Sequence, residues 1–148
     1  MEKLIGLKKI KTAVFISGNG SNLNQLIKFS ILKKSPIAIN IVISNNPKAK
    51  GLKIAKKYKI KTKIFSLHNK FKDENEIIKI LNENRIKLIC LAGFMKIVSA
   101  NFISKFAGKI LNIHPSLLPK YKGLNTHQRV IDNKEKFSGC TVHFVNSK

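Results

Sequence analysis

Thr12-Ala13-Val14-Phe15-Ile16-Ser17-Gly18-Asn19-Gly20-Ser21-Asn22-Leu23 is the stretch on which the fold class turns. Thr12–Ser17 reads as a buried strand. Gly18–Gly20 breaks it, and Asn22–Phe29 then carries Leu23, Leu26 and Ile27 at helical spacing. A strand, a glycine turn and an amphipathic helix form the opening half of a βαβ unit.

The rest of the chain continues the alternation. Ile37–Ser44 reads as a second strand and Ala49–Tyr58 as a helix with Leu52 and Ile54–Ala55 turned inward. Lys63–Ser66 is a short third strand. A helix starting at Asp73 puts Ile77, Ile78 and Leu81 on one face, with acids in its first turn. Leu88–Ala92 is a fourth strand, Ser99–Phe106 a helix, Ile110–His114 a strand, Thr126–Asn133 a helix capped by Thr126, and Thr141–Val145 a last strand. Strands alternating with helices predict an α/β, three-layer, Rossmann-like architecture on a mostly parallel sheet.

The 148 residues fit one domain, with 43% hydrophobic and 24% charged residues, which excludes a disordered chain. No apolar run approaches the roughly 20 residues that cross a bilayer. Met1–Lys11 is basic, and lysines break up its apolar residues, unlike a signal peptide. A cytoplasmic location without membrane attachment is the expectation. The formal net charge is +22, yet Arg85 and Arg129 are the only arginines among 29 basic residues. Arginine is the residue favoured for reading phosphate and guanine edges. Lysine, isoleucine and asparagine share A/T-rich codons, so genome composition alone can produce this bias. The charge therefore predicts weak, salt-sensitive adsorption to nucleic acid and attraction of small anions, with no specific nucleic-acid partner.

Gly18-Asn19-Gly20-Ser21-Asn22-Leu23 can cradle an anion. Glycines permit the tight turn, and the helix behind offers unpaired N–H groups and the positive end of its dipole. A dinucleotide fingerprint would need glycine where Leu23 stands, and an acid near Ile43-Ser44-Asn45-Asn46. A nucleotide P-loop would need Gly-Lys-Ser/Thr. Phosphate is the expected anion; a plain turn capped by Ser21 is the alternative.

Ile110-Leu111-Asn112-Ile113-His114-Pro115 carries the chemistry. Alternation places Asn112 and His114 on one face and Leu111 and Ile113 on the other. Pro115 ends the ladder. Both polar groups then sit at the carboxyl end of a strand, where open α/β sheets bind ligands. An Asn amide can donate to a developing oxyanion, and a His can move protons near neutral pH. Of the other histidines, His68 reads as solvated, His127 stands at a helix start, and His143 reads as a satisfied structural residue. Cys90 and Cys140 lack the spacing of a disulfide scaffold or zinc site, and no metal is expected.

Phe15–Leu23 (FISGNGSNL), Leu91–Ser99 (LAGFMKIVS), Leu111–His127 (LNIHPSLLPKYKGLNTH) and Gly139–Val145 (GCTVHFV) together resemble phosphoribosylglycinamide formyltransferase, the folate-dependent enzyme of purine synthesis. The resemblance covers nearly the whole chain, in order. It implies transfer of a formyl group from 10-formyltetrahydrofolate, a cosubstrate, to the glycinamide amine of 5-phosphoribosylglycinamide. It assigns Gly20, Ser21, Asn22 and Leu23 to the substrate phosphate. Met95, Lys96, Ile97 and Val98, with Asn112, would line the formyl-folate pocket. Asn112 and His114 become the catalytic pair. Arg is frequent in the family where Lys96 stands, and His where Asn125 stands. Lys70 and Lys72 are candidates for a further basic contact.

In the family the chain runs on into an Asp-Gly-Gly loop whose Asp orients the catalytic His. Residues 1–148 are therefore expected to form a single formyltransferase domain lacking its C-terminal part, poorly soluble or inactive by itself. Alternatives are a non-catalytic remnant, a methionyl-tRNA formyltransferase and a formyltetrahydrofolate hydrolase. The tRNA enzyme usually follows this turn with Arg-Gly-Ala-Ala-Pro, where this chain has Lys120-Tyr121-Lys122-Gly123-Leu124-Asn125.

Overall fold

The computed structural model describes residues 8–147, so most of the basic N-terminal stretch and Lys148 lie outside the described residues. The elements alternate along the chain: β1 (Ile10–Ile16), α1 (Ser21–Ser30), β2 (Ile37–Ser44), α2 (Lys50–Lys57), β3 (Lys61–Ile64), α3 (Lys70–Glu83), β4 (Leu88–Leu91), α4 (Ala100–Lys105), β5 (Lys109–His114), α5 (Thr126–Asp132) and β6 (Thr141–Phe144). They build a six-stranded sheet in the order β3-β2-β1-β4-β5-β6. Every neighbouring pair is parallel except β5–β6. The mostly parallel α/β architecture expected from the alternation is the one observed. No helix of the described residues is long and apolar enough to cross a membrane.

The apolar runs split between two faces because successive side chains point opposite ways. Ala13 and Phe15 of β1 join Ile41, Ile43, Ile89 and Ile110 in one core, covered by Ile77 and Leu81 of α3 and Phe102 of α4. Phe15 packs edge-on against Phe94 at 5.4 Å and against Phe102 at 6.2 Å between ring centroids. Val14 and Ile16 face the other way, against Leu23 and Ile27 of α1 and Ala55 of α2. The β1–β2 register shifts once: Thr12 pairs with Ile39 and Ala13 with Ile41, so Asn40 is the extra residue of a bulge.

Most boundaries shift by a residue or two, and the departures at β3, α3 and the starts of α1 and α5 have local reasons. The third strand lies earlier than Lys63–Ser66, because all four β3 side chains are exposed and no apolar alternation marks its ends. Helix α3 begins at Lys70, where the Asn69 side chain accepts from the Lys72 amide at 3.2 Å. Asp73 instead accepts from the Leu67 amide at 2.9 Å, holding the incoming loop onto the first turn. Neither Ser21 nor Thr126 caps its helix. The N-cap positions are Gly20 and Asn125, both left-handed and without a side-chain cap, and Thr126 is buried.

The strand order grows one way from β1 through β2 to β3, and the other way through β4 and β5. The switch point lies between β1 and β4, and open α/β sheets bind ligands beyond the carboxyl ends of strands there. The glycine turn after β1 is held at this place by a second glycine. The amide of Gly51, in the first turn of α2, donates to the Gly18 carbonyl at 3.1 Å. A Cβ on Gly20 would meet Gly51 Cα at 2.6 Å, and one on Gly51 would meet Ile16 Cδ1 at 2.6 Å. The two helix starts touch main chain to main chain.

This contact separates the two glycines of the turn. Gly20 has φ +77°, whereas a Cβ on Gly18 would find nothing within 4 Å. Gly20→Ala is expected to destabilise the fold by more than about 1 kcal/mol, the left-handed backbone alone costing about that much. Gly18→Ala should stay within about 0.5 kcal/mol of the parent. Urea unfolding of the two variants side by side checks this, and equal stabilities would contradict it.

Candidate active site

Three segments lie at the carboxyl ends of the adjacent strands β1, β4 and β5. The first is the glycine turn. The first intrahelical bond of α1 runs from the Asn24 amide to the Gly20 carbonyl at 2.9 Å, so the amides of Ser21, Asn22 and Leu23 have no acceptor within the helix. The first turn of α1 carries no acid and no side-chain cap. This leaves a cluster of N–H donors at the positive end of a ten-residue helix. Ser21 and Asn22 are exposed, but the Leu23 side chain is fully buried in the core. Leu23 can offer only its main chain to an anion.

The second loop holds Met95, Lys96, Ile97 and Val98. It is fastened at both ends. The Met95 amide donates to Ser17 Oγ at 2.8 Å, and Ser17 Oγ in turn donates to Asn45 Oδ1. Asn46 Nδ2 donates to the Ser17 carbonyl at 3.0 Å, tying the ends of β1 and β2 together. At the far end the Ser99 amide donates to Glu74 at 2.9 Å, and the Ser99 hydroxyl donates to the same carboxylate. Ser99 also caps α4 by accepting from the Phe102 amide at 3.0 Å. Glu74 is buried at 5% exposure, an acid in the core satisfied by the loop it anchors. Between these fixed ends, Met95 is 69% and Ile97 85% exposed. Two large apolar side chains are thus displayed from a restrained loop.

The third segment is β5 and the turn after it. Ile110 lies in the core under α3 and α4, so alternation sends Asn112 and His114 toward that same face. Leu111 and Ile113 take the other face. There, with Leu26, Phe29 and Val142, they line an apolar groove of about 350 Å³, with Asn22 and Gln25 among its walls. His114 is not among the residues lining that groove. Burial pushes the Cys90 thiol on the groove wall up from its ordinary value, as expected of a small core residue.

His114 Nε2 stands 3.0 Å from the Tyr121 carbonyl oxygen. A carbonyl only accepts, so Nε2 carries the proton and Nδ1 is left as the basic nitrogen. That is the one side-chain hydrogen bond of His114 among the described residues. Tyr121 reaches this position through a compact turn containing a cis Leu118–Pro119 bond and a left-handed Tyr121, φ 53°. The buried Ser116 hydroxyl donates to the Lys120 carbonyl at 2.7 Å. Thr141 of β6 donates to the Ser116 carbonyl at 2.8 Å and accepts from the Leu118 amide at 3.0 Å.

Sequence alone puts Asn112, His114 and the glycine turn at the carboxyl ends of strands, and the resemblance adds the Met95–Val98 loop; in the structure they follow or end the adjacent strands β1, β4 and β5. The sequence reading did not find the Tyr121 carbonyl, Ser17, Asn45, Glu74 or Gly51. Sequence pattern alone gives His143 a structural place, whereas His143 pairs directly across from Asn112 and its Nε2 lies 3.2 Å from Asn112 Nδ2. His68 and His127 are exposed. Among the described residues no group of His, Cys, Asp or Glu is arranged to hold a metal ion.

Glu135 holds the turn from outside. Its Oε1 accepts from Lys120 Nζ at 2.9 Å and from the Tyr121 hydroxyl at 2.9 Å. These two bonds pull the Glu135 carboxyl below the usual carboxylate range, the Lys120 bond most. A depressed value in the folded state contributes stability above the ordinary carboxylate range and loses it as pH falls through the lowered value. Residues 117–124 should therefore hold firm at neutral pH and loosen only in acid, while Glu135→Ala loosens them at every pH. Amide exchange of this segment, normalised to unstructured rates, reads the difference. Unchanged protection in the variant would contradict it.

The formyl transferase family model matches residues 10–148. Among curated proteins the chain is 46% identical to the phosphoribosylglycinamide formyltransferase of Haemophilus influenzae, over 93% of its own length and 66% of that protein's. It is 44% identical to the human trifunctional purine biosynthetic protein adenosine-3, over 93% of its length and 14% of that protein's. Among solved structures, phosphoribosylglycinamide formyltransferase from Brucella melitensis superposes with a TM-score of 0.89 at 42% identity, covering 94% of this chain and 74% of the other. The chain belongs to the formyl transferase family, on its phosphoribosylglycinamide formyltransferase branch.

Proposed function

We propose that this chain carries the transfer site of an enzyme moving a formyl group from 10-formyltetrahydrofolate to the amine of 5-phosphoribosylglycinamide in purine biosynthesis. The observation that carries this reading is the placement of Asn112 and His114 on one face at the carboxyl end of β5, in a sheet whose first helix starts with no acid and no side-chain cap. The substrate phosphate would take the amides of Ser21, Asn22 and Leu23, with Gly20 allowing close approach. The folate ring would lie on Met95, Lys96, Ile97 and Val98, whose exposed apolar side chains it would cover.

The amine lone pair attacks the formyl carbon, and the carbonyl π pair moves onto oxygen. Asn112 donates an amide hydrogen to that oxyanion. The ammonium formed on the attacking nitrogen loses a proton as the folate N10 gains one, and the C–N10 bond breaks. His114 serves this transfer through Nδ1, the nitrogen not occupied by Tyr121. The charge of the phosphate and the developing oxyanion would each rest on its own donors. The lysine-rich surface favours capture of both anionic reactants.

Formyl transfer followed by release of tetrahydrofolate, measured with the family's Asp-Gly-Gly segment present, tests the proposal, with binding of 5-phosphoribosylglycinamide measured by calorimetry beside it. Asn112→Ala should lower kcat about 10²–10³-fold, as for loss of an oxyanion donor. His114→Ala should lower it about 10²–10⁴-fold. KM for either substrate should move far less than kcat in both variants. Inorganic phosphate should compete with the ribonucleotide. A chain that binds neither the ribonucleotide nor the formyl donor, or whose turnover survives both substitutions, would overturn the reading.

A further inference from the structure

We infer that His143 is a positioning residue that fixes which way the Asn112 amide faces. The inference rests on the reading of Asn112 as the oxyanion donor and adds a residue to that site. The geometry is a two-step chain. His143 Nδ1 lies 3.1 Å from the Phe144 carbonyl oxygen. A carbonyl oxygen only accepts, so Nδ1 bears the hydrogen. The neutral ring then has its lone pair on Nε2, and whatever faces Nε2 must donate. Asn112 Nδ2 is the atom that faces it, at 3.2 Å.

An Asn amide can turn over about its last bond, exchanging its oxygen and nitrogen at little steric cost. At Asn112 that exchange would set the amide oxygen against the Nε2 lone pair, two acceptors facing one another. The His143 tautomer forbids it. The amide is held with one N–H spent on His143 and the second N–H available, and Asn112 shares its face with His114. Without His143 the amide is as free to present its oxygen, which repels an oxyanion, as its nitrogen. The backbone supports the pairing. Asn112 and His143 are direct partners in the antiparallel ladder of β5 and β6, flanked by Leu111–Phe144 and Ile113–Val142. The next pair but one, His114 with Thr141, ties the same short strand to the turn that holds the His114 ring.

This is a role that a simply buried, satisfied histidine would not have. His143 is only half-buried, and its ring bonds to the site residue on one side and to main chain on the other.

The test has two arms. Nitrogen-15 NMR of the full chain under conditions where His143 is neutral should show the Nδ1–H tautomer, with Nε2 unprotonated. The opposite tautomer overturns the proposal, whether or not the chain turns over. In the kinetic arm, His143→Leu should lower kcat tenfold or more, on the scale of the about 10–100-fold that removing the orienting partner of a metal-ligating residue costs. KM for both substrates should stay close to the parent value. His143→Gln, which restores an acceptor, should recover much of the loss. A kcat unchanged in His143→Leu while Asn112→Ala is crippled would overturn the positioning role alone. A kcat unchanged in Asn112→Ala would overturn the reading beneath it as well.

Discussion

The approach of two glycines decides where chemistry can happen on this sheet. Gly20 ends the turn after β1 in a left-handed conformation, and Gly51 opens α2 directly against it. Any side chain on either residue would push the helix starts apart. With neither present, the turn closes over the end of β1, α1 begins without a cap, and its first amides point outward. The Ser17 hydroxyl is then in place to bind both Asn45 and the Met95 amide. The uncapped start of α1 and the placement of the Met95–Val98 loop are consequences of one steric allowance. Parallel sheets offer such crevices only where the strand order reverses, and this one is built where two βαβ halves diverge from β1 and β4.

Polar bonds in the core then do what apolar packing does not: they fix direction. Phe15, Phe94 and Phe102 fill space under the Met95–Val98 loop, but rings slide and tilt at little cost. The Glu74 carboxylate, by contrast, admits one arrangement of the Ser99 amide and hydroxyl. Burying a carboxylate this way is unfavourable unless its bonds are made, so the loop's anchorage and the core's integrity are linked. The same logic governs the turn after β5, where Ser116, Thr141 and Glu135 each satisfy a polar group that would otherwise break the turn.

The sheet was legible in the sequence because parallel strands covered on both faces are written as apolar runs. Ile37–Ser44 and Leu88–Leu91 announce themselves in this way. The face shared by Asn112 and His114 follows from period two alone. What stayed hidden depends on positions far apart in the chain. β3 is Lys-Thr-Lys-Ile with every side chain exposed, so no burial pattern marks it. Gly51 looks like a weak point in a helix until Gly20 is placed beside it. Ser21 and Thr126 are good capping residues in the wrong frame, because left-handed Gly20 and Asn125 take the cap positions. His143 and Glu74 acquire partners only through ladder register and helix packing, and nothing local encodes which residue will stand opposite.

β6 is short, and Val142 and Phe144 on it are each 63% exposed. Its energetic share in the core is small, yet its pairing with β5 has an effect out of proportion to it. A slip of one residue would turn every side chain of one strand to the opposite face. The parallel bonds to β4 secure Lys109–Asn112 but stop short of His114. β6 is the strand that reads the alignment of the last two residues. It works as a gauge more than as a girder: when it is seated in frame, amide, imidazole and turn are all correct together. Damage there would surface as an intact protein with faulty chemistry, well before it surfaced as an unfolded one.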